Sequence, residues 1–152
     1  MRPDLAPIAL QLFAHHHGIG SPHALAELGL GDADRHRIVG RDDDPKQHRL
    51  EQSLDADIRA QTGTQDFVGT APLNLVYVAH GERMQDIAAE ERRLYASVDA
   101  GFIGQNVYLF CASEGLATVF RGAVDYQRLA ITMKLGAEQF VTFAQTVGYP
   151  KI

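Results

Sequence analysis

Hydrophobic positions sharpen into readable patterns only in the latter two thirds of this chain. Leu73, Leu75, Val76, Tyr77, Val78 and Ala79 form an apolar run broken only by Asn74. Near-continuous hydrophobicity in strand-forming residue types predicts a strand buried on both faces. His80 and Gly81 end it. Residues 82–95 read as a polar helix whose weak apolar stripe is Met84, Ile87, Ala88 and Leu94. Glu90 and Arg93 sit three apart, as on an exposed face. Residues 97–116 differ: Val98, Phe102, Ile103, Val107, Leu109 and Phe110 spread around a helix instead of lining one stripe. A helix apolar on most sides belongs in the middle of a fold or at a subunit interface. Gly101, Gly104, Gln105 and Asn106 at its centre predict close backbone approach and buried polar contacts. Gly115 is its stop signal.

Residues 117–120 suit a short strand. Residues 125–135 suit a helix carrying Leu129, Ile131 and Met133, with Asp125 as its N-cap. Residues 139–147 alternate Phe140, Thr142, Ala144 and Thr146 against Val141, Phe143 and Val147, as a core strand does. Upstream, residues 55–61 suit a helical turn or two, residues 62–64 stop it, and residues 65–68 suit a second short helical piece. Strand, long helix, strand, helix, strand is the order of a layered structure that mixes helices and sheet.

The first 44 residues are less regular. Leu5, Ile8, Ala9 and Leu12 suit a short helix, as do residues 24–28, and residues 15–22 read as a loop. A boundary is expected at residues 40–45, dividing a divergent N-terminal segment, 1–44, from a main unit, 45–152. The N-terminal segment holds five of the seven histidines. His15, His16 and His17 are consecutive, so on a helix they point in different directions, and with His23 they read as a solvated loop, not a metal site. Asp42, Asp43 and Asp44 lack the glycine and distal glutamate of a calcium loop and read as a linker.

At 152 residues the chain is one domain or part of one. Its net charge of −5, from 14 basic and 19 acidic residues with no basic run, argues against nucleic-acid and anionic-membrane partners. Cys111 is the only cysteine, which excludes an intrachain disulfide and a multi-cysteine zinc site and suits a reducing cytoplasm. No signal segment opens the chain and no run approaches membrane-spanning length, so a cytoplasmic location is expected. Cys111 lies in an apolar helix and reads as inert. Tyr95, Tyr108 and Tyr126 read as packing residues with satisfied hydroxyls. Gly29 and Gly31 are too few for a dinucleotide loop.

The stretch from Asp57 through Thr62, Gly63 and Thr64 to Val68 leads into Ala71, Pro72 and the apolar run. Further on come Asp99, Ala100, Gly101, Phe102, Ile103, Gly104, Gln105 and Asn106, then Gly115 and Leu116, Arg121 and Gly122, and Gly148, Tyr149 and Pro150. In this order and spacing they resemble the nitroreductase family, most closely its SagB-type dehydrogenase branch. The resemblance implies an α+β fold with a mixed sheet flanked by helices and a long central helix at a homodimer interface. It implies bound FMN, NADH or NADPH as electron donor, and ping-pong hydride transfer to a nitroaromatic, quinone or other small-molecule acceptor. Phe120, Arg121 and Gly122 fall where the family's backbone approaches the flavin ring edge. There N–H groups donate to the N5 or O4 region and stabilise a reduced, partly anionic ring. Lys151 falls where the family places cations on the FMN phosphate.

The N-terminal segment departs from the family. Its Arg2, Arg35, Arg37 and Arg41 do not stand at the spacing of the family's phosphate-gripping arginines, and the Pro-Ser-x-x-Asn type segment is not recognisable. That departure carries an alternative: a truncated or degenerate member acting as a non-enzymatic dimeric binding module without flavin.

Overall fold

The computed structural model describes residues 57–150 and three earlier strands, β1 (Ile8–Ala14), β2 (Arg37–Ile38) and β3 (Gln52–Ser53). After a 3-10 turn at Arg59–Gln61 come α1 (Asp66–Thr70), β4 (Leu73–His80) and a second 3-10 turn at Gly81–Arg83. Then follow α2 (Ala89–Ser113), β5 (Ala117–Arg121), α3 (Tyr126–Thr132) and β6 (Gln139–Gly148). Residues 15–28 and 40–45, with the histidine cluster and the aspartate run, lie outside the described residues.

Four strands form one sheet in the order β1-β4-β6-β5, and every pairing is antiparallel. The mixed sheet expected from the resemblance is thus corrected to an antiparallel one among the described strands. The short helix expected at Ile8, Ala9 and Leu12 is also corrected: these residues form β1. The reason is tertiary. β4 is buried along its whole length, and with β6 on one side its other edge exposes a row of backbone groups that a further strand satisfies.

β4 divides its side chains between two cores. Tyr77 and Ala79 pack with Ala96 and Ala100 of α2, and Leu73 and Leu75 pack with Cys111. Val76 and Val78 face the opposite way, toward Val124, Leu129 and Met133. A bulge between Tyr77 and Val78 shifts the register with β6, so Tyr77 lies opposite Phe143 and Val78 opposite Val141. One extra residue reverses the inward and outward alternation beyond it. Val141 thereby joins the α3 core, while Phe140 and Phe143 both remain on the α2 side.

The helices expected at 82–95 and 97–116 are corrected to a single helix of 25 residues, Ala89–Ser113, and residues 84–88 ahead of it are not helical. Ser97 does not interrupt it, because its hydroxyl donates to the Arg93 carbonyl at 2.7 Å, one turn back. The end is as expected: Gly115 takes φ +66° and Leu116 N–H reaches the Cys111 carbonyl at 2.8 Å, closing a Schellman-type cap. Asp125 caps α3, accepting from Arg128 N–H at 3.0 Å.

The face α2 turns to the sheet is made of small residues, Ala96, Ala100, Gly104 and Cys111. Gly104 is where the backbone comes closest: a Cβ there would lie 2.6 Å from the Phe120 ring. Gly101 meets nothing within 4 Å, and Gln105 and Asn106 are exposed, so the buried polar contacts expected of them are not made within this subunit. The large apolar residues lie outward instead, with Leu94 64% and Phe102 70% exposed. No helix among the described residues is long and apolar enough to cross a membrane.

Gly104→Ala is expected to lower stability by about 1–3 kcal/mol, because overpacking forces α2 off the Phe120 ring. Urea unfolding followed by circular dichroism measures this, and an unchanged midpoint would contradict the contact.

Candidate functional site

The expected site residues Phe120, Arg121 and Gly122 close β5 and open the loop to α3. Because side chains alternate along a strand, Phe120 and Arg121 enter opposite layers. The Phe120 ring lies on the α2 side, with centroids 5.3 Å from Tyr77 and 4.8 Å from Phe143. Beside it, the Tyr77 hydroxyl donates to Gln145 Oε1 at 2.5 Å, and Gln145 Nε2 donates to Thr118 Oγ1 at 3.0 Å. Burial pushes the Tyr77 phenol well above its ordinary range, with Tyr108 and Cys111 adding to the shift, so it stays protonated. Burial likewise pushes the Cys111 thiol up, which keeps it a poor nucleophile.

Arg121 turns into the other layer and is 5% exposed. Its guanidinium donates from Nη1 to the Thr62 carbonyl at 2.8 Å, from Nε to Thr146 Oγ1 at 3.1 Å and from Nη2 to Asn74 Oδ1 at 3.2 Å. All three acceptors are neutral. Burial lowers its pKa, yet a guanidinium starts so high that it remains charged. Asn74 extends the network: its Oδ1 also accepts from Thr146 Oγ1 at 2.5 Å, and its Nδ2 donates to the Val68 carbonyl at 2.8 Å. Gly63 makes room for the cation, since a Cβ there would lie 1.9 Å from Nη1. The Arg121 side chain is therefore held inside the fold and is not extended toward a ligand.

Gly122 is different. It is exposed, and a Cβ on it would stand 3.5 Å from Phe143, an ordinary contact. Packing within the subunit does not demand glycine here; what glycine provides is a bare backbone open to the outside. The Gly122 carbonyl accepts from Val124 N–H at 3.0 Å and from the Tyr126 hydroxyl at 2.8 Å. Among the described residues, the N–H groups of Gly122 and Ala123 take no acceptor in the loop hydrogen bonds. The Phe120 N–H, by contrast, donates to the Tyr108 hydroxyl at 2.8 Å. The open donors of this loop are thus those of Gly122 and Ala123, one residue further along than the span 120–122.

Lys151 lies outside the described residues. Among those described, no group of three histidine, cysteine or acidic side chains is placed to hold a metal ion. Sequence reading missed the roles of Asn74, Tyr108 and Tyr126. Asn74 did carry a signal, because an amide inside a doubly buried strand must find partners there. The tyrosines carried none, since a hydroxyl's target depends on which loop it faces.

A model of the nitroreductase family matches residues 23–149 of this chain. The chain belongs to the nitroreductase family. The match begins inside the segment read as divergent. A nitroreductase homologue of Methanocaldococcus jannaschii is 31% identical over 83 residues, 52% of this chain and 42% of that protein. The crystal structure of a nitroreductase homologue from Ralstonia eutropha superposes with a TM-score of 0.73 at 33% identity, covering 97% of this chain and 60% of that one. An NADPH:FMN oxidoreductase from Vibrio harveyi, complexed with NAD+, gives a TM-score of 0.52 at 27% identity over 61% of this chain and 44% of its own. The chain thus spans about half the length of the relatives it matches.

Arg121→Lys keeps the charge but cannot serve three acceptors from one fork. It is expected to cost about 1–3 kcal/mol in urea unfolding, because buried acceptors lose their donors. A variant as stable as the native chain would remove Arg121 from this structural role.

Proposed function

We propose that this chain is an FMN-dependent NAD(P)H oxidoreductase of the nitroreductase type. The redox chemistry is supplied by bound FMN: hydride arrives from NADH or NADPH and leaves to a nitroaromatic, quinone or similar small-molecule acceptor, in ping-pong order. The observation that carries this reading is the Gly122–Ala123 backbone, exposed beside Phe143 with two N–H groups that meet no loop acceptor among the described residues. A planar ring edge bearing nitrogen and oxygen acceptors fits such a surface, and fixed donors there favour the electron-rich form of the ring. Phe120 supports the surface from behind by anchoring β5 against Tyr77 and Phe143. Arg121 and Gly122 contribute backbone; the phosphate falls to Lys151 and to other cations of the full assembly. Membership of the family and the FMN and NAD+ named for the Vibrio harveyi enzyme support the same assignment.

The working form is a homodimer in the cytoplasm. Leu94, Val98, Phe102 and Leu109 recur along the outer face of α2 and are exposed in the single subunit. A row of large apolar side chains on one helix is an interface pattern, and a second copy related by a twofold axis buries both rows at once.

A second reading has its own support. The Arg121 guanidinium, the cation nearest Gly122 in sequence, is committed to the interior. A chain without a phosphate grip would keep the α2 dimer and act as a non-enzymatic binding module.

Freshly purified protein is expected to be yellow, or to develop a perturbed flavin spectrum when FMN is added, and then to oxidise NAD(P)H faster in the presence of a quinone or nitroaromatic. Colourless protein that takes up no FMN decides for the binding module. Phe102→Glu is expected to shift the molecular mass by light scattering from dimer to monomer; a native chain already monomeric refutes the α2 interface.

A further inference from the structure

We propose that Tyr126 is a positioning residue of this site, polarising the Gly122–Ala123 peptide so that the Ala123 N–H is a strengthened donor for the ring edge of the bound cofactor. The proposal rests on the oxidoreductase reading for its ligand, though not for its physical basis. A peptide unit is conjugated, so electron density drawn to its oxygen leaves its nitrogen. Two donors converge on the Gly122 oxygen, Val124 N–H at 3.0 Å and Tyr126 Oη at 2.8 Å. The N–H of that same peptide belongs to Ala123, and among the described residues it has no acceptor in the loop hydrogen bonds. Hydrogen bonds coupled through one amide strengthen each other. The pull is therefore delivered to an N–H that meets no acceptor among the described residues.

The local geometry keeps this donor in place. Val124 N–H to Gly122 C=O closes a three-residue γ-turn with Ala123 at its apex. Lys134 is the only non-glycine residue of positive φ among the described residues, so the turn at Ala123 is the unstrained inverse form. Ala123 is exposed, as an apex presented outward must be. Asp125 caps α3 and so fixes the first turn of the helix from which Tyr126 reaches back. Tyr126 itself is 36% exposed, so core packing does not explain its placement, and its recorded hydroxyl bond is the one to Gly122. Tyr108 makes a parallel contact at Phe120 N–H, but there the hydroxyl consumes the donor instead of strengthening one. The two tyrosines thus leave a closed amide at Phe120 in β5 and an open, activated one at Ala123 in the loop after it.

The test is Tyr126→Phe in the full chain, which keeps the ring and removes the hydroxyl. In 13C,15N-labelled protein without cofactor, the Gly122 carbonyl and Ala123 amide resonances are expected to move while distant amides stay fixed. With FMN added, the variant is expected to bind roughly twofold to tenfold more weakly, the range set by one hydrogen bond. The potential of its bound flavin is expected to fall, because the electron-rich form loses the stronger donor. Unmoved Gly122 and Ala123 resonances overturn the proposal. So do native FMN affinity and native potential in a variant whose resonances have moved. If the native chain takes up no FMN, the oxidoreductase reading fails by itself, and the polarised amide stands or falls on the resonances alone.

Discussion

A buried cation that meets no anionic partner among the described residues is the constraint on which this fold turns. The Arg121 guanidinium sits among neutral acceptors contributed by the 3-10 turn, by β4 and by β6. A charge removed from water costs several kcal/mol unless every donor finds an oxygen. Three separate segments are therefore held where their oxygens meet one planar fork. Asn74 carries the constraint outward to α1 through the Val68 carbonyl. Since Arg121 is the last residue of β5, fixing its side chain inward also fixes the direction in which the next peptide leaves the sheet. The open backbone at Gly122 is a consequence of that geometry.

The opposite layer meets a steric constraint in place of an electrostatic one. The Phe120 ring can lie this close under α2 only because Gly104 has no side chain. Alanines at positions 96 and 100 continue the close approach, so the helix rides low over Tyr77 and Ala79. A helix seated so closely by small residues has spent its small positions on the sheet. Its large apolar residues are then left exposed on the outer face.

The two layers meet at β5, and the candidate site lies where β5 ends. Three sets of hydrogen bonds act on three consecutive residues there: Tyr108 at Phe120, the Arg121 fork, and Val124 with Tyr126 at Gly122. Such a density of fixed contacts is what a surface needs if its donors are to hold a set geometry without reorganising when a ligand arrives.

Much of this was legible in the residues. The run from Leu73 announced the central strand, Asp125 and Gly115 announced a helix start and a helix stop, and the alternation after Gln139 announced β6. These are local signals, set by the burial period and by cap chemistry that neighbouring residues alone satisfy. The direction of Arg121, the joining of two expected helices across Ser97, the pairing that makes β1 a strand, and the outward placing of Phe102 were decided only by tertiary structure. Each depends on which distant group lies opposite: a carbonyl at Thr62, a sheet edge on β4, a ring at Phe120. A chain's own pattern states that a side chain needs a partner, but only the assembled layers determine which partner is within reach.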